Sequence, residues 1–378
     1  MIEGSIQGDL EFVIMEALGR LFLLLVCIFP SSNAFIFPIG NTAPISPPSG
    51  AILQWNLPRS GQQGKILMAD VDMKDAAIFP STPQRIYNLW QWNGYKINYR
   101  VEGPETGMPV LLIHGFGASV GHYRKNIPVL AEQGHRVYAI DLLGFGGSDK
   151  PKEVEEFSME LWQEVVVDFI KEFSKNPEEQ WVVCGNSIGG LLSIMVTSTL
   201  QEKIKGTVLF NSAGGMTSFR DSEVPFFIVP ILWFFRNVVF SDTYGPGVFQ
   251  SFKTEDNVRN ILNQVYGNKS AVDDELVSML LAPSDDDGAC EVFLKVFRGP
   301  AGPTPEELLP TIKTPVLALW GEDDPWTPLR TGMHPGINFE NYCKTLELIT
   351  LPETGHCPHD DRPDEVHKHL VPFLKSLA

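Results

Sequence analysis

Ser187 sits in the stretch "WVVCGNSIGG" (181–190), two residues beyond Gly185 and two before Gly189, where one apolar run stops and another begins. A hydroxyl placed there can attack a carbonyl carbon, but serine is a poor nucleophile unless a base takes its proton and an acid orients that base. Gly185-Asn186-Ser187-Ile188-Gly189 fits the G-x-S-x-G elbow, in which a strand turns at once into a helix. Side chains at the flanking positions would collide in such a turn, so Gly185 and Gly189 leave Ser187 alone at the apex. The helix that starts there brings a positive dipole end to the place where negative charge will form.

The remaining parts follow in the chain order expected for this elbow, serine then acid then histidine. "PVLALWGEDDPW" places acids directly after an apolar run, and "LELITLPETGH" places His356 after another. Asp324 is the expected acid in preference to Asp323 or Glu322, because G-x-x-D after the strand is the usual spacing in this arrangement. Acyl transfer also needs two backbone N–H groups aimed at the oxyanion. Ile188, next to the nucleophile, supplies one. Phe116, in "HGFG" (114–117), supplies the other, with His114 bracing that loop.

Two competing readings carry less weight. "HCPHDD" (356–361) packs histidines, a cysteine and aspartates together, but zinc sites want separated ligand pairs and no second cluster is spaced for one. No metal and no cofactor is therefore expected. "GFGGSDK" has the wrong glycine and lysine spacing for a phosphate-binding loop. His122, His135, His334 and His359 read as surface or structural residues.

The elements that must hold these groups are strands alternating with helices. "YKINYRVEG" (95–103) alternates like a half-buried strand, whereas "MPVLLIHGFG" (108–117), "HRVYAIDLL" (135–143), "QWVVCG" (180–185), "KGTVLFNSAG" (205–214), "TPVLALWG" (314–321) and "LELITLPETG" (346–355) are continuous apolar runs. Helical segments lie in "YRKNIPVLAEQG", in residues 157–174 and after Ser187. The pattern predicts an α/β fold, a mostly parallel sheet with helices on both faces, and in such sheets chemistry collects at the carboxyl ends of the strands. Between about 215 and 300 the rhythm fails, and that length predicts an inserted helical cap over the active edge.

The 378-residue chain carries a formal net charge of −17, which argues against nucleic acid as a partner. Its five cysteines, Cys27, Cys184, Cys290, Cys343 and Cys357, form no paired framework. Residues 1–34 read as a signal peptide built on "LFLLLVCIF", with cleavage before Phe35. Translation from Met15 would remove most of the acids that spoil its start. Residues 35–69 lack acids and are rich in Ser, Pro, Asn and Gln, as in transit peptides. The two-part leader with Phe35 resembles those of algae with secondary plastids and implies a plastid address, simple secretion being the plainer alternative. The folded domain is then expected over residues 70–378.

"HGFGAS", "DLLGFGGSDKP", "GNSIGG", "LALWGEDDPW" and "GHCPHDDRPDEV" together resemble the α/β-hydrolase superfamily, from about residue 90 to the end. "WQWNGYKINYRVEG", "YRKNIPVLAEQGHRVYAIDLLGFGGSDKP" and "EELLPTIKTPVLALWGEDDPW" are similar to the plastid pheophytinase and chlorophyll dephytylase group. The resemblance implies hydrolysis of the phytyl ester of chlorophyll or pheophytin by Ser187, Asp324 and His356. Other chemistries of this fold are a general carboxylesterase or lipase, a serine-type C–C bond hydrolase, and a ligand receptor that keeps the triad. Epoxide hydrolases and haloalkane dehalogenases use a carboxylate at the elbow, which Ser187 disfavours. A C20 chain prefers an apolar phase by well over ~10 kcal/mol at ~0.8 kcal/mol per methylene. "PFFIVPILWFF" (225–235), without one polar side chain, is thus expected to line an apolar pocket or rest on a membrane, or else to pack on its own domain.

Overall fold

A computed structural model of the chain describes residues 85–216, 220, 222, 224 and 226–378. The leader segments 1–34 and 35–69, the start at Met15 and the first residues of the hydrolase domain lie outside the described residues.

Eight strands form one sheet in the order β1-β2-β4-β3-β5-β6-β7-β8. They are β1 (Asn88–Trp92), β2 (Tyr95–Glu102), β3 (Pro109–Ile113), β4 (Arg136–Ile140), β5 (Trp181–Asn186), β6 (Ile204–Phe210), β7 (Val316–Gly321) and β8 (Leu346–Leu351). β2 runs antiparallel to β1 and β4, and the strands from β4 to β8 pair in parallel. The apolar runs read from the sequence are the parallel strands, and the reason is their environment. All five residues of β3 and of β4 are buried, because helices cover both faces. The β1–β2 hairpin is absent from the sequence reading. Its signal is Asn93-Gly94, both at positive φ (46° and 89°), the conformation of a two-residue hairpin turn.

Alternate residues of each strand feed opposite layers. Leu111 and Ile113 of β3 join Trp162, Phe169 and Leu192, beneath α2 (Met159–Phe173) and α3 (Ile188–Thr199). Val110 and Leu112 face the other way, toward Ile127, Leu130, Val366 and Leu370, beneath α1 (Ile127–Glu132) and the C-terminal helix Pro363–Ser376. The register sets Gly185 opposite both Ile113 and Leu209, so the chain leaves β3, β5 and β6 at one level.

Between β6 and β7 the chain is helical: α4 (Val229–Phe234), a π-helical turn (Phe235–Val239), α5 (Gly245–Phe252), α6 (Glu255–Val265), α7 (Asp274–Leu281) and α8 (Ala289–Arg298). Thr254 and Asp273 start α6 and α7 by accepting hydrogen bonds from Asn257 N and Leu276 N. An aromatic seam joins this layer to the sheet edge. Phe240 stacks on Phe297 at 4.5 Å, and Phe116 meets Phe297 edge-on at 5.4 Å. Among the described residues no helix is long and apolar enough to cross a membrane.

Candidate active site

Ser187 follows β5 directly and carries φ 55°, ψ −121°, a left-handed conformation that costs a non-glycine residue on the order of 1–3 kcal/mol. Several bonds hold it there. Its N–H donates to Phe210 O at 3.1 Å, and its carbonyl accepts from Ala213 N and Gly190 N, both at 2.9 Å. The glycines around it have no room for a side chain. A Cβ on Gly185 would lie 2.0 Å from Gly189 O, and one on Gly189 would lie 2.2 Å from Ile113 O. The helix therefore presses onto the sheet as closely as backbone allows, with Ser187 at the corner.

Asp324 and His356 come from the loops after β7 and β8, and His356 Nδ1–H donates to Asp324 Oδ2 at 2.7 Å. Both are buried, while Asp323 and Glu322 are exposed. Asp324 Oδ2 also accepts from Asn211 Nδ2 (2.7 Å) and Thr327 Oγ1 (2.5 Å), and Oδ1 accepts from Trp326 N (2.7 Å) and Thr327 N (3.1 Å). Burial alone would raise this carboxyl's pKa. The facing imidazole and the hydrogen bonds from His356 and Thr327 outweigh it and hold the group below its ordinary range. A carboxylate that accepts the Nδ1 proton leaves His356 Nε2 as the free base.

Ser187 and His356 line one cavity of about 450 Å³, together with Phe116 and Ile188. That volume falls in the ordinary range for a small-molecule site. Its walls are mainly apolar, with Leu232, Phe235, Phe293 and Phe297 contributed by the inserted helices. His114 is buried and away from the chemistry. Its Nε2 accepts from Leu142 N at 3.1 Å and its Nδ1–H donates to Gly115 O at 2.7 Å, so it braces the loop carrying Phe116. Burial lowers its pKa, against the pull of Asp141.

"HCPHDD" has structural duties. Asp361 accepts from Gly355 N (2.7 Å), Gly267 N (2.8 Å) and Asn268 N (2.7 Å), and His356 N donates to Val265 O at 2.7 Å. These bonds tie the histidine loop to the end of α6. Among the described residues no group of three or more His, Cys, Asp or Glu side chains is placed to hold a metal. Cys184, Cys290, Cys343 and Cys357 are unpaired.

Five positions escape the sequence reading. Asn186, inside the elbow motif, donates to His356 O (2.8 Å) and Phe210 O (3.0 Å) and so locks the nucleophile turn to the histidine loop. Asn211 lies at the carboxyl end of β6, where the rule applied to the other strands would have found it; Thr327 carries no such signal. His122, read as surface or structural, lines the cavity, as does His334. His122 Nε2–H donates to Tyr266 OH (2.8 Å), which donates to Asp360 Oδ2 (3.1 Å), leaving His122 Nδ1 a buried acceptor without a partner. Burial lowers its pKa to about 4 despite Asp360 nearby.

The model of the alpha/beta hydrolase family matches residues 110–369. An uncharacterized hydrolase of Bacillus subtilis, YugF, is 25% identical over 294 residues, 78% of this chain and 98% of that protein. The chloroplastic pheophytinase of Arabidopsis thaliana is 25% identical over 321 residues, 71% of this chain and 61% of that protein. Among solved structures, a meta-cleavage product hydrolase from Pseudomonas fluorescens matches with a TM-score of 0.62 at 23% identity, covering 78% of this chain and 99% of that one. Epoxide hydrolases and a 2-hydroxymuconate semialdehyde hydrolase are also similar.

Proposed function

Since the chain belongs to the alpha/beta hydrolase family, we propose that it is a serine hydrolase that cleaves a carboxylic ester of an apolar substrate, with the phytyl ester of chlorophyll or pheophytin as the first candidate. One observation carries the reading: a serine on a strained turn and a histidine bonded to a buried aspartate line the same apolar cavity. His356 Nε2 takes the Ser187 proton as Oγ attacks the ester carbonyl. Asp324 holds the imidazole in the required tautomer and stabilises its cation. The N–H groups of Phe116 and Ile188 receive the oxyanion. As the tetrahedral intermediate collapses, the imidazolium returns its proton to the leaving alcohol. Water, deprotonated by His356, then releases the acid and restores Ser187. The serine at the elbow separates this cycle from epoxide opening, where a carboxylate forms the alkyl ester.

Support for the phytyl ester is the similarity to pheophytinase and the apolar cavity. A plastid address goes with this proposal and rests on the composition of the leader. Purified protein offered pheophytin, chlorophyll and a plastid lipid extract in detergent should release phytol, and the Ser187→Ala variant should release none. Fatty acid without phytol would move the protein to the acyl-lipid esterases. Cleavage of a β-diketone ring-fission product would move it to C–C bond hydrolysis, a reading the similarity to 2-hydroxymuconate semialdehyde hydrolase keeps open. Ligand capture without turnover would point to a receptor. Undiminished ester hydrolysis by Ser187→Ala would sink the mechanism.

A further inference from the structure

The inserted region exposes large apolar side chains, in its helices and the turns before them, that nothing in the described fold covers. Phe226 (85% exposed), Phe227 (42%), Trp233 (60%), Phe234 (48%) and Tyr244 (63%) are five of the eight large exposed hydrophobic residues among those described. The other three, Ile86, Leu89 and Val101, belong to the β1–β2 edge and the segment before it. No residue of α4 is buried. The two sides of this segment differ in what they meet: Leu232 and Phe235 line the cavity, and Trp233 and Phe234, between them in sequence, face outward. The exposed patch therefore adjoins the cavity wall within one helical turn.

Charge narrows the partner. From Val224 to Phe252 the chain has only two charged residues, Arg236 and Asp242, in a protein of net charge −17. Asp242 is paired with Arg298 at 3.0 Å. With Arg236, a cavity-lining residue, as its one cation, the stretch has no cluster of lysines and arginines such as holds a protein on anionic lipid, and the net charge of the molecule is repelled by such a surface. It has the aromatic residues, tryptophan and tyrosine included, that favour the boundary between lipid and water.

We propose that the face formed by Phe226, Phe227, Trp233, Phe234 and Tyr244 seats on an uncharged or zwitterionic lipid surface, placing the cavity wall against the bilayer so that an apolar ester enters without crossing water. The proposal rests on the reading of the cavity as a site for an apolar ester, and it binds the protein to lipid independently of turnover.

The test is flotation of the full-length protein with phosphatidylcholine vesicles, with and without added phosphatidylglycerol, for the wild type and for a Phe226→Ser, Trp233→Ser double variant. Neither residue lines the cavity, so hydrolysis of a soluble short-chain ester should stay within twofold of wild type. The wild type should float with phosphatidylcholine, and added phosphatidylglycerol should weaken binding at low salt. The double variant should bind at least tenfold less and lose turnover of a vesicle-embedded long-chain ester in parallel. Equal flotation of wild type and variant, failure of the wild type to bind, or binding that requires phosphatidylglycerol would each overturn the proposal. So would light scattering that finds a dimer which the variant dissociates, since the patch would then join two copies of the chain. A wild type that floats but hydrolyses no ester would count against the hydrolase reading alone.

Discussion

Replacing Asp324 by asparagine tests how the site fixes its base. Five donors converge on this carboxylate: Trp326 N and Thr327 N at Oδ1, and His356 Nδ1, Asn211 Nδ2 and Thr327 Oγ1 at Oδ2. The new amide can face them in two ways. With its NH₂ toward the backbone it opposes two immobile N–H groups, each left buried at about 1–3 kcal/mol. With its NH₂ on the other side it opposes three donors, of which Asn211 Nδ2 keeps only its long bond to Gly321 O and the other two can adapt. The Thr327 hydroxyl can turn fully to Asn211 O, already 3.2 Å away, and His356 can move its proton from Nδ1 to Nε2. The second orientation is the cheaper, and it leaves His356 unable to accept the serine proton. Asp324→Asn should therefore lower kcat about 10⁴-fold, as expected when the catalytic histidine is held in the wrong tautomer, which is about 5.4 kcal/mol of lost transition-state stabilisation. The fold should suffer far less, on the order of 1 kcal/mol by urea unfolding. Steady-state hydrolysis of a soluble p-nitrophenyl ester measures the first quantity. Asp323→Asn, at an exposed position, is the control and should match the wild type. Activity of Asp324→Asn within tenfold of wild type, or equal losses in both variants, would refute the reasoning.

Gly189→Ala should destabilise the protein by about 3 kcal/mol or more, because its Cβ meets the Ile113 carbonyl and neither backbone can yield. Gly247→Ala, where a Cβ meets nothing within 4 Å inside α5, should be neutral or slightly stabilising; thermal melting of the pair checks both. Asp361→Ala removes the acceptor of three backbone N–H groups and should reduce both the melting temperature and kcat, with KM for a small ester nearly unchanged. His122 has a folded-state pKa of about 4, below the ordinary 6.5, so the unfolded chain takes up a proton that the fold refuses. Its contribution is complete above about pH 6.5 and falls away toward pH 4, on the order of 3 kcal/mol in all. Denaturant titrations from pH 7.5 to 4.5 should show this slope, and His122→Gln should flatten it.

The parts of the site visible in the sequence are those with local causes. The elbow announces itself because only glycine tolerates the approach at 185 and 189, and Asp324 and His356 do so because each follows a strand of the sheet within a few residues. Asn211 sits at an equivalent position and was legible by the same rule. His122 and Asp361 were not, since their partners are assembled by the fold: His122 meets Tyr266 144 positions along the chain, and Asp361 reaches back 94 to Gly267. The helices after β6 follow the same division. Their presence shows in the broken strand rhythm, but which face of "FFIVPILWFF" turns inward depends on the sheet edge beneath.

The bonds between the end of α6 and the histidine loop divide the inserted region into two parts with different freedom to vary. Val265 O accepts from His356 N, and Gly267 N and Asn268 N donate to the Asp361 carboxylate five residues on, so a change in α6 that serves a new substrate also shifts the His356 loop. The stretch from Phe226 to Phe252 shapes the cavity through Leu232, Phe235 and Phe240, and among the bonds of the described residues none ties it to the His356 loop in this way. Selection for a new ester can act there without disturbing the chemistry, and a library built to redirect this protein would place its diversity in that stretch and leave 262–268 alone.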